Sequence, residues 1–155
     1  MSAGEIRIRP LRPGDMDAVM QLHRELGWNP AFQADGTTLR QRLGALFTEE
    51  SALLLVAERE AEVVGYIHGE ILTYLLFAGR EMLITEVFVR AQARGQGVGT
   101  ALVRAMEREA ARQRCFRISV LNSRERESYK RGFYPSLGYS ERTEVANFTK
   151  RLDWG

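Results

Sequence analysis

Arg94-Gly95-Gln96-Gly97-Val98-Gly99 joins a strand-like apolar run, Glu81 to Val89, to a helix-like run, Val98 to Gln113, and that junction decides how the rest of the chain is read. Glycines there let the backbone approach a ligand closely, with N–H groups pointing outward. The helix that follows opens on amides without intrahelical partners and on a partial positive charge, a combination suited to phosphate. Arg94 adds a fixed charge whose forked donors match a pyrophosphate. Two other phosphate loops fit less well. A dinucleotide loop reads Gly-x-Gly-x-x-Gly near the start of a βαβ unit, with an acidic residue about 20 positions on. Here the spacing is Gly95-x-Gly97-x-Gly99, in the second half of the chain. A nucleoside-triphosphate loop ends in Gly-Lys-Ser/Thr, and no lysine stands between Gly99 and Thr100. A plain glycine-rich turn is the remaining reading.

Working outward from the loop, Phe116 to Val120 is the next strand, so a strand, a crossover helix and a strand make one parallel step. The helix presents Val98, Ala101, Leu102, Ala105 and Met106 on one face. Upstream, Ala52 to Ala57 and Val63 to Tyr74 read as two strands around the polar turn Glu58 to Glu62, and with Glu81 to Val89 they form an antiparallel meander. Ile6 to Arg9 alternates with period two as a first strand, closed by Pro10 and Pro13. Asp15 is placed to cap a helix with Met16, Val19, Met20 and Leu26 on its apolar face. A second helix from Thr37 or Thr38 carries Leu39, Leu43, Leu46 and Phe47 as a single stripe. Downstream, Glu125 to Phe133 reads as helix and Thr143 to Leu152 as a final strand. The sum is an α/β (α+β) arrangement, a mixed sheet with helices on both faces, in one domain spanning residues 1–155.

The 155 residues suffice to bury about two-thirds of the unfolded chain's surface. Cys115 is the single cysteine, which excludes an intramolecular disulfide. Neither a leader peptide nor an apolar run of about 18 residues is present, so the expected location is cytoplasmic, away from the membrane. The net charge is +2. Arginines cluster from Arg90 to Arg117, either as a field drawing in a polyanionic cofactor or as a solvated helix face. They lack the interleaved aromatics of a nucleic-acid surface. Two histidines and one cysteine at their separations make no metal site.

Strand, Arg94-x-x-Gly97-x-Gly99 and amphipathic helix together resemble the GNAT superfamily of acyl-CoA-dependent N-acetyltransferases, over most of the chain from Ile6 to Leu152. The resemblance implies a GNAT-like order β-α-α-β-β-β-α-β-α-β with about six to seven strands. It implies that Arg94, Gly95, Gln96, Gly97, Val98, Gly99 and Thr100 wrap the pyrophosphate of acetyl-CoA. It also implies that Phe88 and Val89 offer backbone groups to the pantetheine arm, the Val89 amide facing the thioester or the pantetheine carbonyl, in a manner open to any strand edge. Asn122, with Ser123 as substitute, is the expected side-chain contact to the cofactor.

Glu86 interrupts the apolar strand Met82 to Val89, and a carboxylate there must be wetted or paired. It therefore faces a cleft, a partner or water. The resemblance offers a general base, while a substrate-binding or a merely structural carboxylate stays open. Phe133-Tyr134-Pro135-Ser136-Leu137-Gly138-Tyr139 looks like the GNAT segment whose first tyrosine protonates the leaving thiolate, which makes Tyr134 the acid in preference to Tyr129. Pro135 biases Tyr134 away from helical geometry. His68 is a candidate for the acceptor cleft, and Trp28 and Phe32 offer aromatic surface to a cationic acceptor. Tyr74 to Phe77 reads as a dimer contact or a hydrophobic wall. The resulting expectation is acetyl transfer to a small-molecule or peptide amine, without a covalent intermediate and without metal. A longer acyl chain, or a CoA-binding sensor that does not turn over, are the alternatives.

Overall fold

The computed structural model describes residues 4–27 and 33–153, in two compact units divided after Leu121. The first unit holds five strands: β1 (Arg7–Pro10), β2 (Ala52–Arg59), β3 (Glu62–Thr73), β4 (Arg80–Val89) and β5 (Cys115–Val120). They lie in that order, antiparallel from β1 to β4 and parallel between β4 and β5. Three helices accompany them: α1 (Met16–Glu25), α2 (Gly36–Ala45) and α3 (Val98–Arg112).

Both sheet faces are covered, which is why β3 is buried along most of its length instead of alternating. On one face Val19, Met20 and Leu22 of α1 and Leu43 of α2 pack with Leu54, Val56, Tyr66 and Phe88. On the other face lies α3, with Val98, Leu102, Val103, Ala105 and Met106 buried. Gly69 permits that approach: a Cβ there would stand 2.7 Å from Met82 Sδ and 3.0 Å from Met106 Sδ.

Three expectations change at the level of elements. Asp15 sits at the start of α1 without capping it, because its carboxylate accepts from Arg9 at 2.6 and 2.9 Å and from the Arg12 N–H at 2.7 Å. Asp35 caps α2 instead, accepting from the Thr38 N–H at 2.7 Å. Phe47 falls beyond the end of α2 and is exposed, so the stripe stops at Leu46.

The second unit contains two short helices, α4 (Glu127–Lys130) and α5 (Phe133–Ser136), where the sequence suggests one. Gly132 in the left-handed region separates them. Residues 143–152 form neither helix nor strand, so five strands are present among the described residues, against an expected six to seven. Val145, Phe148 and Leu152 explain the difference. In a strand of period two, Val145 would face away from Phe148 and Leu152, since it stands three residues before Phe148, and all three are exposed.

Candidate active site

After β4 the chain passes through a single 3₁₀ turn, Ala91–Ala93, and enters the glycine loop. Gly95 and Gly97 adopt φ of +70° and +83°, and a Cβ on either would meet no atom within 4 Å. Open space over two left-handed glycines is a cradle that side chains would fill. The first helical bond of α3 runs from the Ala101 N–H to the Gly97 carbonyl at 2.9 Å, which leaves the amides of Val98, Gly99 and Thr100 without helical partners. No side chain caps them. Polar clips hold the loop from outside: Arg94 Nε donates to the Val89 carbonyl at 2.8 Å, Gln96 Nε2 to the Gln92 carbonyl at 2.8 Å, and Arg59 to Gln96 Oε1. The Arg94 guanidinium also lies over the Phe88 ring, 5.6 Å from its centroid. These residues fit a pyrophosphate.

Beside the loop the sheet forks. The parallel ladder between β4 and β5 ends at Ile84 opposite Val120, while β4 continues to Val89. The Arg90 N–H donates to the Val64 carbonyl at 2.9 Å. Because ladder direction alternates residue by residue, the backbone groups of Val89 point away from β3, into the fork. Arg94 takes the carbonyl, and the amide faces the opening.

Glu86 lies on the α1 side of the sheet, exposed, and its Oε2 accepts from the Tyr66 hydroxyl at 3.1 Å. The carboxylate is thus exposed, with Tyr66 as a side-chain partner. Tyr66 is 1 % exposed. Burial first, then the Glu86 charge and the hydrogen bond to it, push the Tyr66 phenol far above its usual range, so it stays a donor and orients the carboxylate. His68 pairs directly opposite Glu86, with Nδ1 2.6 Å from Thr85 Oγ1. The first unit therefore brings Glu86 and His68 together, and sets Phe88 and Val89 beside Arg94.

In the second unit, Asn122 Oδ1 accepts from the Ser128 hydroxyl at 3.0 Å. Tyr129 donates to Glu141 at 2.9 Å, and Arg124 pairs with the same carboxylate. The Tyr129 hydroxyl is thus committed as a donor. Burial raises the Tyr134 phenol above its ordinary value, and its ring stands edge-on to Phe133 and Tyr139, with centroids 5.0 and 5.6 Å away. Tyr134 is helical despite Pro135, contrary to expectation. Pro135 lies in the first turn of α5, where a missing N–H costs nothing.

Trp28 and Phe32 lie outside the described residues. Sequence reasoning missed Glu81, 3 % exposed, which binds Arg117 at 2.8 Å and the Ser119 hydroxyl. Burial opposes its charge, yet Arg117 and Ser119 hold the carboxyl below the usual range. Arg117 in turn stacks on Phe77 and Phe116, bracing the hairpin tip on which Leu75 and Leu76 are fully exposed. The signal was available: Glu81 opens an apolar strand much as Glu86 interrupts it. Among the described residues no group of three or more His, Cys, Asp or Glu is arranged to hold a metal ion, and no helix is long and apolar enough to cross a membrane.

Known proteins share this fold. Residues 17–139 match the model of the Acetyltransferase (GNAT) family. The chain is 28% identical over 154 residues to the thialysine N-epsilon-acetyltransferase of Mus musculus, covering 89% of this chain and 86% of that one. Among solved structures, a transcriptional regulator from Bacillus halodurans C-125 superposes with a TM-score of 0.83 at 20% identity, over 96% of this chain and 100% of the other. The aminoglycoside N-acetyltransferase AAC(6')-Iy, bound to the bisubstrate analogue CoA-S-monomethyl-acetylneamine, superposes with a TM-score of 0.80 at 17% identity, over 96% of this chain and 99% of the other. The family model spans well over half of the chain, glycine loop included, and the chain accordingly belongs to the GNAT acetyltransferase family and is an acyltransferase.

Proposed function

We propose that this protein moves an acetyl group from acetyl-CoA to a primary amine of a small molecule or peptide, by direct attack and in the cytoplasm, as one domain spanning residues 1–155. The observation that carries the reading is the open cradle over Gly95 and Gly97 at the start of α3, next to the Val89 amide in the fork. Acetyl-CoA supplies an acyl carbon already activated as a thioester. The loop amides from Gly95 to Thr100, with Arg94, hold its pyrophosphate, and the backbone of Phe88 and Val89 aligns the pantetheine arm. Asn122, whose oxygen is occupied by Ser128, offers its amide nitrogen to the same cofactor.

Glu86 gathers the acceptor ammonium and assists its deprotonation, a step that costs roughly 5 kcal/mol for a lysine-like amine at pH 7. His68, Trp28 and Phe32 contribute to the acceptor seat. Tyr134 keeps its proton and gives it to, or shares it with, the departing thiolate. The small-molecule amine is supported by relatives whose names specify thialysine and an aminoglycoside. The test is release of free CoA thiol from acetyl-CoA across a panel of alkyl amines, amino sugars and peptide N-termini. Turnover with at least one of them is expected. Tight CoA binding without turnover on any amine would make the chain a sensor.

A further inference from the structure

Between the pairs His68–Glu86 and Gly69–Ile84, β4 carries one residue more than β3, and that residue is Thr85. A bulge of this kind sets two consecutive residues against one on the neighbouring strand. His68, Thr85 and Glu86 thereby share the face on which Tyr66 donates to Glu86. Thr85 Oγ1 lies 2.6 Å from His68 Nδ1 and 3.3 Å from the His68 carbonyl oxygen. A hydroxyl has one proton and two lone pairs, and a carbonyl only accepts. A Thr85 hydroxyl that gives its proton to the carbonyl accepts from the ring. Nδ1 then carries the hydrogen, and Nε2 keeps a bare lone pair.

We propose that Thr85 is a positioning residue that locks His68 in the Nδ1–H form, and that His68 Nε2 takes the proton shed by the acceptor ammonium beside Glu86. This rests on the acetyl-transfer reading above. The proton moves from the ammonium nitrogen to Nε2, the amine keeps the electron pair with which it attacks, and the imidazolium retains its Nδ1–H on Thr85. The Glu86 carboxylate balances the new charge, and the proton passes on to water. Of the groups near this ring, Tyr66 and Glu70 share its strand, Thr85 and Glu86 come from β4, and Leu54 opposes it from β2.

Long-range ¹H–¹⁵N correlation spectra of the full chain read the tautomer directly, with His23→Gln assigning the second imidazole. The expected result is Nδ1–H in the wild type, loss of that signature in Thr85→Val and its return in Thr85→Ser. In thiol-release assays His68→Asn, which keeps a donor near the Nδ1 position and lacks Nε2, should lose about 10²-fold in kcat at unchanged KM for acetyl-CoA. Thr85→Val should lose less, and Thr85→Ser should recover. A wild-type ring protonated on Nε2, or a His68→Asn kcat equal to wild type, overturns the proposal. A ring protonated on Nδ1 in a protein that turns over no amine overturns the acetyl-transfer reading and the proton role with it, while Thr85's hold on the ring stands.

Discussion

Gly97 has a backbone that L side chains rarely adopt, at φ +83°, with empty space beside it. A valine there carries about 1–2 kcal/mol of left-handed strain, which a domain of this size tolerates, and it fills the volume a phosphate needs. Gly97→Val should therefore stay folded by circular dichroism yet lose measurable affinity for CoA in calorimetry. Retained affinity would make the loop a structural turn. Asp15 is a residue of the opposite kind, buried with Arg9, both at 8 % exposure, and paired with it at 2.6 Å. Asp15→Asn removes the charge while Arg9 keeps Glu58 at 2.6 Å, so it should cost about 2 kcal/mol, the worth of a hydrogen bond to a charged group, in urea unfolding at pH 7. The hydrogen bond from Arg9 holds the Asp15 carboxyl below its usual value. Its stabilising contribution is then fully present above the unfolded-state value of about 3.9 and is lost as pH falls through the folded value. The gap between wild type and Asp15→Asn should close below about pH 4, and a constant gap down to the acid transition would exclude the mechanism.

Among elements, the β2–β3 hairpin turns on Glu60 and Ala61, both left-handed at φ +50° and +65°, where two-residue turns favour Asn-Gly. Replacing the pair by Asn-Gly should add about 1 kcal/mol, raising Tm by roughly 2–4 °C, and a drop in Tm would show that the Glu60 side chain contributes more than the strain it introduces. The strands of this meander were legible because Ala52–Ala57 is a continuous apolar run and Val63–Tyr74 is rich in β-branched, aromatic and aliphatic residues, and α3 because Val98, Leu102, Ala105 and Met106 recur at helical spacing. Their partners were less so. Asp15 reads as a cap until Arg9, six residues away in sequence, is found beside it. Glu81 reads as the polar end of a strand until Arg117 arrives from β5. Thr85 carries no signal, since the bulge that gives it a role exists only in the pairing of two strands. Glu86 and the glycines of the loop stood out for the contrary reason, because each breaks a local rule that only a ligand or solvent would compensate.

For the molecule as a whole, a cofactor that binds the folded state alone raises stability by mass action. CoA near 100 times its dissociation constant should add about 2.7 kcal/mol, a Tm rise of roughly 5–11 °C for a chain of this length, with NAD and ATP silent. No response to CoA in a thermal scan would remove the cofactor assignment. The fork between β4 and β5 has a further consequence, for exchange with solvent. Amides that point toward β3 are locked in a ladder, whereas those of Val87 and Val89 point past the last β5 pair at Val120. Along a single buried strand, hydrogen exchange should thus run in a comb, with slow teeth at Phe88 and Arg90 and fast gaps at Val87 and Val89. A bound pantetheine would fill the gap at Val89 while leaving the slow teeth as they were, so occupancy of the fork would register as one amide falling silent in an otherwise unchanged strand.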